Sequence, residues 1–354
     1  MKMFRLLEYI KRISPVDKRL EKKAFKRIDN LTKPIGSLGR LEEFSAKLFS
    51  IYDGNMPEKL KKAVYVFAAD HGVTRQGVSA YPKDVTYQMV YNFLKGGAAI
   101  CVFSRLVNAD VYVVDVGVDY DFPEGTKIIN KKIRKGTDDF TEGPAMTFDD
   151  AIDSVFVGIE CAEEAIKNGY NLLIPGDMGI GNTTASSAII KVFTDENTRN
   201  VVGRGTGIDD KTYENKIKVI EKAIEVNDPD NKNSLDILEK VGGLEIGAIC
   251  GFILGGAVNK VPVIIDGFIC TAGFILAYLL SPSIKDYVFF SHQSVEPGHK
   301  KVLDYLKEKP IFDLKMRLGE GTGAVLASNI IEASLKMFNE MATFEEASVS
   351  REIK

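Results

Sequence analysis

The 354-residue chain predicts an α/β fold: a mostly parallel sheet with helices on both faces. Three observations predict it. Short, continuous apolar runs recur along the middle of the chain, as strands buried on both faces require. Longer segments of helical period separate them, which is the alternation of a parallel sheet. Polar residues gather directly after the apolar runs, where ligands bind in such sheets.

The elements follow in order. Residues 1–30 read as helical, with Phe4, Leu7, Ile10 and Ile13 at helical spacing and a charged second segment after Pro15. Leu31 to Arg40 is a loop carrying Pro34, Gly36 and Gly39, and a helix is expected over Leu41 to Tyr52. Strands are expected at Ala63–Ala69, Val111–Val116, Leu172–Pro175, Val261–Ile265 and Tyr287–Phe290. Helices are expected over Asp84–Leu106, Ala151–Asn168, Asp210–Val226 and Ala324–Phe338, the last followed by a polar tail. The apolar stretches Ile246–Val258 and Phe268–Leu280 fall short of the about 20 residues of a membrane span and read as buried helices. The terminal helices pack together, on this reading, as a small helical unit.

Asp70-His71, Asp115, Asp177, Asp266 and Ser291-His292 each close a predicted strand, and together describe an active-site rim. Singly, each is equally well a turn or helix-capping residue.

Composition narrows the function classes. With 46 basic and 49 acidic residues the net charge is -3, so no basic field exists to hold nucleic acid. Cys101, Cys161, Cys250 and Cys270 show no zinc-like spacing, and His71, His292 and His299 form no metal motif. Charges interrupt the apolar residues of the N-terminus, so it is no signal peptide, and the expected compartment is the cytoplasm.

Glycine loops carry the candidate chemistry. Gly176-Asp177-Met178-Gly179-Ile180-Gly181-Asn182-Thr183-Thr184 leads into a helical run, a pattern suited to an anion at backbone N–H groups and a helix start. No Lys follows the glycines, so it is not a P-loop. Gly203-Arg204-Gly205-Thr206-Gly207 and Gly319-Glu320-Gly321-Thr322-Gly323 share one form, the first presenting a cation and the second a carboxylate. Either alone is equally a simple turn, but together they read as two parts of one site, the Arg204 loop suited to an anion and the Glu320 loop to a proton or a cationic intermediate. Gly77–Met89 offers Tyr81, Gln88 and Met89 for a flat ring, although Met and Tyr at helical spacing are more often core. The loop Lys33–Arg40 is equally a solvated connection or a binding loop.

Taken together, TKPIGSLGRLE (32–42), ADHGV (69–73), GVSAYP (77–82), GGAAI (96–100), GDMGIGNTT (176–184), VVGRGTGID (201–209), VPVIIDGFI (261–269), SHQSVEPGH (291–299) and RLGEGTGA (317–324) resemble the nicotinate-nucleotide–dimethylbenzimidazole phosphoribosyltransferase family, over nearly the whole chain and in order. The resemblance implies a Rossmann-like large domain at 61–324, a small helical domain from 1–60 and 325–354, and a homodimer. It implies transfer of phosphoribose from nicotinate mononucleotide to 5,6-dimethylbenzimidazole or a related base, with inversion at C1′ and no metal or cofactor.

It assigns the base to Glu320. Around the nucleotide it assigns Asp177, Gly179, Gly181, Asn182, Gly203, Gly205, Asp266, Ser291, Ser294 and Arg317, and around the acceptor ring Tyr81, Gln88, Met89 and Leu318. The family usually has Glu where this chain has Asp177, which shortens the reach of that carboxylate. Two other readings stay open: a transferase with an adenine or phenol acceptor, and a nucleotide-binding protein without turnover.

Overall fold

The computed structural model describes residues 1–205 and 207–351; Thr206 and residues 352–354, among the segments read above, lie outside it. The chain opens with helices α1 (Lys2–Ile10), α2 (Lys18–Ile28) and α3 (Arg40–Ile51). Then come β1 (Lys62–Ala69), α4 (Val85–Leu94), α5 (Ala99–Leu106), β2 (Ala109–Gly117), β3 (Ile129–Asn130), α6 (Phe148–Lys167) and β4 (Leu172–Met178). Helices α7 (Asn182–Thr194), α8 (Thr198–Val201), α9 (Asp210–Asn227), α10 (Ser234–Val241) and α11 (Leu244–Val258) precede β5 (Val263–Ile265). Helix α12 (Phe268–Leu280), β6 (Val288–Phe290), α13 (Pro297–Leu306) and α14 (Thr322–Glu340) complete it.

The six strands form one sheet in the order β3-β2-β1-β4-β5-β6, every pair parallel. The α/β reading therefore holds. The strand order reverses between β1 and β4, which is where parallel sheets open a ligand crevice. β1 is buried at every position, so its sequence is a continuous apolar run rather than an alternation.

Two expectations need correction. The helix read over Asp84–Leu106 is two helices, α4 and α5, because Gly96 takes a left-handed φ of 74° and ends the first. Strand β3, paired to Val114 and Asp115 of β2, is absent from the strands expected, since two residues carry no periodicity.

The main core fills both faces of the sheet and includes Leu6 and Ile10 of α1. A smaller, separate cluster joins Ala24 and Ile28 of α2, Leu31, Ala46 and Phe49 of α3, and Met337 and Phe338 of α14. No helix among the described residues is long and apolar enough to cross a membrane.

Candidate active site

Glu320 sits in a loop that only glycine-rich sequence can make. Gly319, Glu320 and Gly321 take successive left-handed φ values of 84°, 63° and 94°. For a glutamate that conformation is strained, and neighbours must hold it. Asp266, at the end of β5, accepts from the Gly321 N–H at 3.2 Å with Oδ2 and from the Ala324 N–H at 3.0 Å with Oδ1, tying down the start of α14. On the other side the loop lies flat on β4: a Cβ on Gly176 would stand 2.2 Å from the Glu320 carbonyl oxygen.

The Glu320 side chain, 5% exposed, accepts from the Ile100 N–H at 3.2 Å with Oε2. Burial raises its pKa above the ordinary carboxylate range. The Ile100 N–H opposes that rise and the Asp266 charge adds to it.

Glu320 lines a cavity of about 610 Å³ at the carboxyl ends of the strands. Asp177, Gly179, Gly181, Asn182, Gly205, Ser294, Arg317, Tyr81, Met89 and Leu318 line it too. Its apolar lining is Val78, Val85, Ile180, Phe268 and Ile269 with Met89 and Leu318. Asp177 lines it beside the Glu320 loop, where a Cβ on Gly319 would stand 3.0 Å from its carboxylate oxygens. Asn182 Nδ2 donates to its Oδ2 at 3.0 Å. Its pKa stands well above the usual range, first through burial, then through the charges of Asp266 and Glu245, against the Asn182 bond and with a further push from Glu320.

Four of the residues read from the sequence do not line this cavity. Gln88 is exposed on α4, one residue off the face that carries Val85 and Met89. Gly203 lines a neighbouring outer cleft with Arg204, Tyr213 and Arg317. Asp266 and Ser291 are fully buried beneath the site: Asp266 holds the Glu320 loop, and Ser291 Oγ donates to the Asp266 carbonyl at 3.1 Å.

The strand-end rim divides in the same way. Asp177 and His292 face the cavity. Asp70 accepts from the Asp119 N–H, and Asp115 from the Val118 N–H while pairing with Lys132, so both brace loops. Arg204 turns away from the cavity to pair with Asp210. In the Lys33–Arg40 loop, Lys33 pairs with Glu42 at 2.8 Å and Arg40 donates to the Lys309 and Pro310 carbonyls, so both cations tether the fold.

Two residues escaped the sequence reading. Lys216 of α9, fully buried, donates to Thr183 Oγ1 at 2.8 Å directly behind the cavity wall. Burial lowers its pKa to about 8, with Glu296 pulling it back up. Its signal was there: Lys216, Ile220 and Ala223 share the buried stripe of the helix, an apolar position holding a cation. Glu296 directly precedes Pro297, the first residue of α13, and a residue before a helix-starting proline carries no signal of a site role. Behind the 176–184 loop, His71 Nε2 and Glu245 Oε1 share a hydrogen bond of 2.6 Å with both side chains buried. Burial pulls the His71 pKa down, but the Glu245 carboxylate outweighs it and the value is raised.

A Phosphoribosyltransferase family model matches residues 13–349. The chain belongs to the nicotinate-nucleotide–dimethylbenzimidazole phosphoribosyltransferase family. The family member of Geobacter sulfurreducens is 52% identical over 345 residues, covering 98% of each chain. That of Chloroflexus aggregans is 51% identical over 345 residues, again covering 98% of each. The crystal structure of the Thermus thermophilus family enzyme matches with a TM-score of 0.89 at 42% identity, over 95% of this chain and 100% of that one.

Proposed function

We propose that the chain transfers the phosphoribosyl group of nicotinate mononucleotide to 5,6-dimethylbenzimidazole or a closely related base, giving the α-ribotide and nicotinate. Membership of the family supports the reaction class. The observation that carries the mechanism is Glu320: a desolvated carboxylate, fixed by its own loop, in a cavity lined by both apolar side chains and glycine-rich polar loops.

The side chains of Tyr81, Met89 and Leu318 suit the flat acceptor ring. The polar loops around Gly179, Gly181, Asn182 and Gly205, with Lys216 behind them, suit the phosphoribosyl group. One acceptor nitrogen attacks C1′ as the C1′–N bond to nicotinate breaks. The electron pair of that bond returns to the pyridine ring and neutralises it. The acceptor's other nitrogen becomes acidic as positive charge develops, and Glu320 takes its proton. Attack from the face opposite the leaving group turns a β-glycoside into an α-glycoside. A pocket that holds both reactants in line supplies much of the remaining acceleration.

We also assign the small domain to 1–60 and 325–354 and the large domain to 61–324, and expect a cytoplasmic homodimer. Incubation with nicotinate mononucleotide and dimethylbenzimidazole, followed by product chromatography, tests the reaction. An α-ribotide formed with one equivalent of nicotinate supports it. Nucleotide binding without turnover across azole, purine and phenol acceptors overturns it.

A further inference from the structure

Glu296 lies where an anion belongs. Its carboxylate accepts from the Gly205 N–H at 3.0 Å with Oε1, inside the Gly203–Gly207 loop. Its Oε2 is buried and has no hydrogen-bond partner. That oxygen presses on the loop so closely that a Cβ on Gly203 would stand 1.8 Å from it. Glu296 is the N-cap residue of α13, yet its side chain makes no capping bond there and reaches across to the glycine loop instead. The charge of Lys216 bears on it, and Lys216 Nζ would stand 3.4 Å from a Cβ on Gly205. The side chain lines both the main cavity and the outer cleft, so it has space to leave the loop in either direction.

We infer that Glu296 is a resident anion that occupies the phosphate position of the Gly203–Gly205 loop in the free enzyme and is displaced by the 5′-phosphate of the nucleotide. The inference rests on reading this loop as the phosphate site. A buried carboxylate and a dianionic phosphate cannot share one N–H and one lysine without strong repulsion. Donor and product carry the same phosphate, so a carboxylate that refills the loop also helps the product leave. Glu296 is thus a determinant of phosphate affinity rather than a group in the bond-making step.

Glu296→Gln keeps the side-chain shape and removes the charge. With the wild-type enzyme as reference, its KM for nicotinate mononucleotide falls by about tenfold, because the like charge no longer competes. Inhibition by inorganic phosphate strengthens in parallel, and KM for dimethylbenzimidazole stays constant. A nucleotide KM that is unchanged or higher overturns the inference while leaving the reaction intact. Failure of the wild-type enzyme to bind nicotinate mononucleotide overturns the phosphate-site reading and the inference with it. The wild-type complex gives a test independent of any variant. A crystal structure with nicotinate mononucleotide bound shows the Glu296 carboxylate withdrawn from the Gly205 N–H, and a carboxylate still bonded there contradicts the proposal.

Discussion

At the scale of single residues the site is a set of carboxylates whose surroundings differ. Asp177 and Asp266 are both buried and both have raised pKa values, but Asp266 receives N–H bonds from the Glu320 loop whereas Asp177 receives a side-chain amide. In the unfolded chain an aspartate titrates near about pH 3.9. Folded Asp177 holds its proton to higher pH, so the native state binds more protons than the unfolded one between the two values. Stability therefore falls as pH rises through that window. Asp177→Asn removes the effect while keeping an acceptor for Asn182. Its melting temperature exceeds the wild type's by more at about pH 8 than at about pH 5, and a difference independent of pH would contradict the raised pKa. These environments were not legible in the sequence. Asp177, Asp266 and Asp115 look alike as strand-end aspartates, and only the tertiary partners decide which faces the cavity and which braces a loop. Gln88 shows the converse: it belongs to a promising motif, but a single helical step turns it to solvent.

At the scale of elements, glycines set how closely parts approach. The glycine-rich loops of 176–181 and 319–323 were legible as site-building segments, because clustered glycine lets a backbone turn sharply and approach a ligand closely. Their contact with one another was not. Gly176, inside β4, is the surface on which the Glu320 loop rests. Gly176→Ala would drive a methyl group into the Glu320 carbonyl, costing about 1–3 kcal/mol of stability and displacing the carboxylate. Its kcat falls steeply in a protein that circular dichroism shows to be folded, and a wild-type kcat would mean that the loop tolerates the shift. Other glycines serve packing alone: a Cβ on Gly251 of α11 would stand 1.8 Å from the Val155 carbonyl of α6. An apolar run such as Ile246–Val258 reveals a buried helix but not which neighbour its glycines admit.

At the scale of the whole molecule, the strand–helix alternation foretold the parallel sheet, and helical spacing at both termini marked apolar faces there. What it left out is that α1 docks in the main core, that α3 is shared, with Phe44, Leu48 and Ile51 in the main core and Ala46 and Phe49 in the second cluster, and that α2 and the end of α14 complete that cluster. Spacing identifies an apolar face, but not the surface that covers it. Phe338 packs against Phe49 in that second cluster, with ring centroids 5.3 Å apart. Phe338→Ala costs about 3 kcal/mol of stability by denaturant unfolding and leaves kcat near wild type, because this cluster is remote from the bond-making groups. A large loss of kcat in the folded variant would tie the terminal helices to the chemistry. The proposed mechanism makes one desolvated carboxylate, Glu320, the base, and steady-state kinetics of Glu320→Gln test that most directly. Nucleotide binding should stay close to wild type while kcat falls by about 10²–10⁴-fold, and turnover near the wild-type rate would contradict the assignment.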